Sequence, residues 1–165
     1  MVTVAKVGVT SYTTPSDREV VITRVVAAPR DLVWKVWTNP DHIRHWMSGR
    51  EGWTMPICEM DLRPGGKWRY VWRMPNGGEM TLSGLVREVV PPVRIVTTES
   101  WGPEWPETLN TLTLTEARDL TTITITVLYP SKEARDAALK SGMKDGMDIT
   151  FATLEALLRT LKGGV

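Results

Sequence analysis

Few side chains in this sequence are placed to do chemistry, and Glu99 is the first of them. If Val93 to Trp101 is a strand, Glu99 shares its phase with Ile95 and Trp101, the bulkier side. A carboxyl turned into an apolar pocket holds its proton more tightly and can act as a general acid or base. Tyr70 could then donate to a developing oxyanion. The alternative is a twist or bulge that turns Glu99 to water, where glutamates mostly lie. His42 and His45 are three residues apart, a spacing that can put two imidazoles on one metal. Only Asp41 adjoins them, and a site with so few ligands is poor, so they are expected at the surface or as caps, with no metal. Cys58 alternates with Met60 and has no histidine partner, which suits a small buried hydrophobe. No Ser/His/Asp or Cys/His set is visible, and no catalytic residue is assigned.

Two further segments look chemical and have simpler explanations. Asp61 to Gly66 (DLRPGG) places Pro before Gly in the order of a type II turn. No helix follows to present its N-terminus to a phosphate. Lys67, Arg69 and Arg73 form a basic row, a partner surface or a solvated face that resists edge pairing.

The elements that must position these groups are legible in the periodicity. Ala28 to Trp46 reads as two short helices. Pro29 and Asp31 open the first, Leu32, Val33, Val36 and Trp37 give it an apolar face, and Pro40 stops it at Asn39. Thr38 or Asn39 caps the second. Glu19 to Ala27 leads in as a strand, and from Thr54 strands alternate with strong turn signals. In Lys67 to Met74, Trp68, Tyr70, Trp72 and Met74 share one face, opposite Lys67, Arg69, Val71 and Arg73. Ile123, Ile125, Val127 and Tyr129 alternate with threonines, as do Leu112 and Leu114, so an antiparallel sheet with one covered face is expected. The cover is a C-terminal helix carrying Met143, Met147, Phe151, Leu154, Leu158 and Leu161 as a stripe, ended by Gly163-Gly164. A shorter helix, Ser131 to Lys140, precedes it. The candidate pocket thus has a floor of Trp68, Tyr70 and Trp72 and a roof of Met143, Met147 and Phe151, although stripes at these periods also fill solid cores.

Composition narrows the classes. At 165 residues, 24% charged and 42% hydrophobic, the chain reads as one globular α+β domain, residues 17–162, behind an N-terminal arm or edge strand at 1–16. A net charge of +1 gives no footprint for nucleic acid, and one cysteine excludes an internal disulfide. The N-terminus lacks the apolar core of a secretory signal and no run could span a membrane, so a cytoplasmic protein, monomer or homodimer, is expected. Eight Trp and three Tyr against one Phe suit a lined pocket or a Trp-rich core.

Three motifs in order, APRDLVWKVWTNPDHIRHW (28–46), DLRPGGKWRY (61–70) and GMKDGM (142–147), resemble one family. It is the group of domains similar to the C-terminal domain of the heat-shock-protein-90 ATPase activator, within the START-like or Bet v 1-like (SRPBCC) superfamily. The resemblance covers about residues 17–162. It implies a helix-grip fold, a curved antiparallel sheet wrapped round a long C-terminal helix, with a cavity between them. It places the segment Trp46 to Trp53 near the mouth. Where relatives commonly carry Trp, this chain has Met47 and Met147, and thioethers in place of indoles enlarge and soften the space. Binding of a small apolar, aromatic or lipid-like molecule without a cofactor is therefore expected. A cyclase- or hydrolase-type enzyme using a pocket carboxylate is the alternative. A chaperone regulator is the second, expected to lack the client-binding N-terminal domain of the eukaryotic activator.

Overall fold

In a computed structural model, which describes residues 6–163, the strands join one antiparallel sheet and the helices lie against it. β1 (Thr10–Thr13) and β2 (Glu19–Val26) lead into α1 (Arg30–Thr38) and α2 (Pro40–Trp46). Six strands follow: β3 (Thr54–Met60), β4 (Lys67–Arg73), β5 (Glu79–Val90), β6 (Arg94–Glu99), β7 (Thr108–Ala117) and β8 (Leu120–Leu128). α3 (Lys132–Lys140) and α4 (Met143–Gly163) complete the chain. The sheet order is β1-β2-β8-β7-β6-β5-β4-β3, so the first strands pair with the last and the middle of the chain runs out as a meander. This is the helix-grip fold. The expected arm at 1–16 supplies β1, which pairs with β2, while Val2 and Val4 lie outside the described residues.

Local chemistry explains the helix starts. Asn39 caps α2 by accepting from the Asp41 N–H at 3.0 Å, with Pro40 at its first turn. Pro29 stands one position before α1 as its N-cap, not within its first turn. Ser131 caps α3 through the Ala134 N–H at 3.1 Å. Gly142, at φ +83°, separates α3 from α4. The stripe on α4 is buried at Phe151, Leu154 and Leu158 against Val20, Ile22, Leu112, Leu114 and Ile123. The expected end at Gly163-Gly164 falls partly outside the described residues.

The sheet turns a corner at β5. Residues 79–85 pair with β4 and residues 86–90 with β6, with a register shift between Val86 and Glu88. Gly84 sits at the bend, where a Cβ would lie 1.8 Å from the Thr98 carbonyl oxygen. Only glycine permits so close a strand approach. The Trp68 indole N–H donates to the same carbonyl at 3.2 Å, and the Thr98 hydroxyl accepts from the Leu85 N–H at 2.9 Å.

Candidate functional site

The bend divides the interior in two. Trp68, Tyr70 and Trp72 are buried as the strand phase predicts, with Lys67, Arg69 and Arg73 exposed on the other side, although Val71, expected with them on that side, is buried as well. Their neighbours are Ile43 of α2, Met55, Cys58, Leu82 and Val86. Met143, Met147 and Phe151 belong to a different cluster, packed with Trp46, Ile95 and Tyr129. The expected floor and roof are therefore not directly opposed. α2 wedges between them, touching β3 on one side and α4 on the other, with Ile43 in one cluster and Trp46 in the second. The physical reason is the β5 corner, which turns the inner face of β4 toward α2. Met47 packs against both clusters, and its carbonyl accepts from the Trp72 indole N–H at 2.5 Å.

An aromatic ladder runs along this half. Trp68 and Tyr70 have ring centroids 5.0 Å apart, Tyr70 and Trp72 6.1 Å, and Trp72 stacks on Trp101 at 5.7 Å and 25°. Trp101 is not on the strand with Glu99 as expected. β6 ends at Glu99, and Trp101 lies beyond it, 44% exposed, as the outer rung of the ladder. Trp53 is half-buried against the same cluster. Trp46 is buried, packs on Trp37 at 4.7 Å and donates to the Val36 carbonyl at 2.8 Å, so it is a core residue anchoring α2 to α1.

Glu99 lies on the inner face. Its register partner is Thr108, and the alternation that carries Ile95 opposite Leu112 and Thr97 opposite Asn110 puts Glu99 on that same side. Asn110 donates through Nδ2 to Glu99 Oε2 at 2.6 Å. Burial pushes the Glu99 carboxyl up to about 7, with the Asn110 hydrogen bond working against the rise. The residue as a whole nevertheless keeps some accessible surface. Ile125 and Val127 on β8, and Met143 and Met147 on α4, are half-buried in the same way, whereas Ile123 and Phe151 below them are sealed.

Two tyrosines complete the cluster. Tyr70 is 6% exposed and its hydroxyl makes no hydrogen bond to another described residue. The Tyr129 hydroxyl meets the Met143 sulfur at 3.9 Å. Burial and the Glu99 charge push Tyr129 up to about 12, and burial, with Cys58 and Glu99 adding to it, raises Tyr70 as well.

Asn110 and Tyr129 were not assigned to the site from sequence. Asn110 carries a signal, a polar residue on the phase of Leu112 and Leu114. Two open grooves, about 350 and 500 Å³, lie on the outward side, lined by residues such as Lys67, Arg69 and Ser83 or Val96, Leu109 and Leu128. Neither includes Glu99 or Asn110 in its wall, although Tyr129 lines the second. His42 is half-buried and His45 exposed, and among the described residues no group of three or more His, Cys, Asp or Glu could hold a metal ion. Cys58 is buried, its sulfur 3.7 Å from the Pro40 carbonyl oxygen, and burial raises its thiol.

A helix gripped by a curved sheet, with a partly open concave face, defines the START-like class of small-molecule-binding architectures. The chain belongs to the family described as Activator of Hsp90 ATPase homolog 1-like protein, which it matches over residues 27–159. A protein from Rhodobacter sphaeroides is 30% identical, with a TM-score of 0.87 over 92% of this chain and 98% of its own. A protein from Nitrosomonas europaea is 26% identical, with a TM-score of 0.80 over 91% and 99%. One from Mycobacterium smegmatis, at 23% identity and a TM-score of 0.80 over 92% and 98%, shares the fold. No curated protein matches.

Proposed function

We propose that this chain binds a small, mostly apolar molecule in the concave space between the sheet and the N-terminal half of α4. The observation that carries this is the gradient along the interior. Phe151, Leu154 and Leu158 are sealed, whereas Ile125, Val127, Met143 and Met147 around Glu99 keep accessible surface. Apolar walls with a few convergent polar groups are the usual make-up of a small-molecule site. The flexible thioethers of Met143 and Met147 let the wall adapt to a ligand.

Native mass spectrometry of freshly purified protein tests this by revealing a co-purified small molecule. Met147→Trp provides the internal control. Filling space with the indole should weaken binding of larger ligands and spare the fold, whereas overpacking a solid core costs about 1–3 kcal/mol. A fall in stability with ligand binding unchanged would place Met147 in solid core and defeat the proposal.

An enzymatic role is favoured by one observation, the Glu99 carboxyl held at about 7 beside Asn110. A group poised there exchanges protons efficiently at neutral pH. If the bound molecule is a substrate, mass spectrometry should find it converted by the native protein, and bound but unconverted by Glu99→Gln.

A further inference from the structure

The polar groups of the interior are unevenly matched. Among the described residues Asn110 supplies the one hydrogen bond to the Glu99 carboxylate, leaving Oε1 without a donor, while the Thr108 hydroxyl donates to the Glu99 backbone carbonyl. None of the ion pairs among the described residues involves Glu99; the charged carboxylates that are paired, such as Glu155 with Arg24, lie elsewhere. Tyr70, the titratable neighbour on β4, and Tyr129, the one following β8, are both uncharged at neutral pH and bring no positive charge. An enclosed carboxylate without a counter-charge is costly to ionise. A ligand that carries the missing cation would remove that cost.

We infer that the interior site selects an apolar molecule bearing a protonated amine, with the ammonium on Glu99 and the apolar frame against Ile125, Val127 and Met147. This rests on the ligand-binding function proposed above and adds the chemistry of the head group. A carboxylate-bearing ligand, by contrast, meets like charge at Glu99 and no cation to offset it. A neutral alcohol donates one hydrogen bond and brings no charge.

Three probes sharing one frame separate these cases: 1-naphthylmethylamine, 1-naphthalenemethanol and 1-naphthoic acid. Each is titrated calorimetrically into the full chain at pH 8, where the amine is protonated and Glu99 ionised. The amine should bind about tenfold or more tightly than the alcohol, because it brings an opposite charge to the carboxylate and the alcohol brings none, and the acid should bind most weakly. In Glu99→Gln, with folding verified by circular dichroism, the amine should lose its advantage over the alcohol. Equal binding of all three, preference for the acid, or an amine preference that survives in Glu99→Gln would overturn the head-group assignment and leave the apolar site standing. Binding of none of the three to folded protein would overturn the site itself. If Glu99→Gln does not fold, the ranking on the native chain alone decides.

Discussion

Glu99 is the side chain whose environment has the most to say about solution behaviour. Its carboxyl is raised from an ordinary value of 4.5 to about 7 by burial. Between those values the native state holds a proton that the unfolded chain has released, so this group's contribution to stability is complete below about 4.5 and is lost as pH rises through about 7. Urea denaturation at pH 5 and pH 8 should therefore show Glu99→Gln relatively more stable at the higher pH, by roughly 2–3 kcal/mol against the native difference. A parallel shift of both proteins would mean that Glu99 is not enclosed. Arg24 sits at the opposite extreme. It is 7% exposed, bonded to Glu155 at 2.5 Å and to the Thr10 hydroxyl at 2.6 Å, with its guanidinium 5.4 Å from the Phe151 ring centre. Removing it in Arg24→Met leaves Glu155 without its counter-charge and should cost about 3–5 kcal/mol in the same assay. Neither role was fully legible in sequence. Glu99's phase was readable, but whether the strand kept that phase was not, because this depends on β7 arriving alongside, with Thr108 opposite and Asn110 next to it on the same face.

Among the elements, β4 and α4 were the most legible, since alternation and a helical stripe each encode one buried face directly. Trp72→Ala should cost about 3–5 kcal/mol as a core truncation. Arg73→Ala, which breaks only an exposed pair with Glu79, should cost about 0.5 kcal/mol or less. Equal effects would refute the observed strand phase. What periodicity could not reveal was which helix each face meets, because the answer lies in the bend at Gly84, whose partner Thr98 belongs to the next strand. Two glycine substitutions separate these levels. Gly84→Ala forces a methyl into the Thr98 carbonyl and should destabilise by about 3 kcal/mol or more if the corner holds. Gly146, in the first turns of α4, has open space where a Cβ would go, so Gly146→Ala should stabilise by roughly 0.5–1 kcal/mol. Thermal melts of the two variants should move in opposite directions.

At the scale of the whole molecule, the family and its helix-grip fold were readable from three short motifs. Their spacing along the chain reports elements that meet only in three dimensions. The site was less readable, because its polar groups come from β4, β6, β7 and the residue after β8, none adjacent in sequence. No helix is long and apolar enough to cross a membrane. With no convergent ligand set among the described residues, chelator treatment should leave the melting temperature unchanged, and a drop restored by zinc would contradict this.

The pairing of β2 with β8 also bears on how the chain reaches this state during synthesis. Val20 waits for Val127, and Arg24 for Glu155, which lies 131 positions further along the sequence. On a ribosome β2 emerges with β1 long before β8 exists, so the sheet cannot be joined until β8 has been made. Contacts so distant along the chain place refolding in roughly the millisecond-to-second range. Until then Val33, Val36 and Trp46 of α1 and α2 lack the residues of β8 and α4 that cover them in the finished fold.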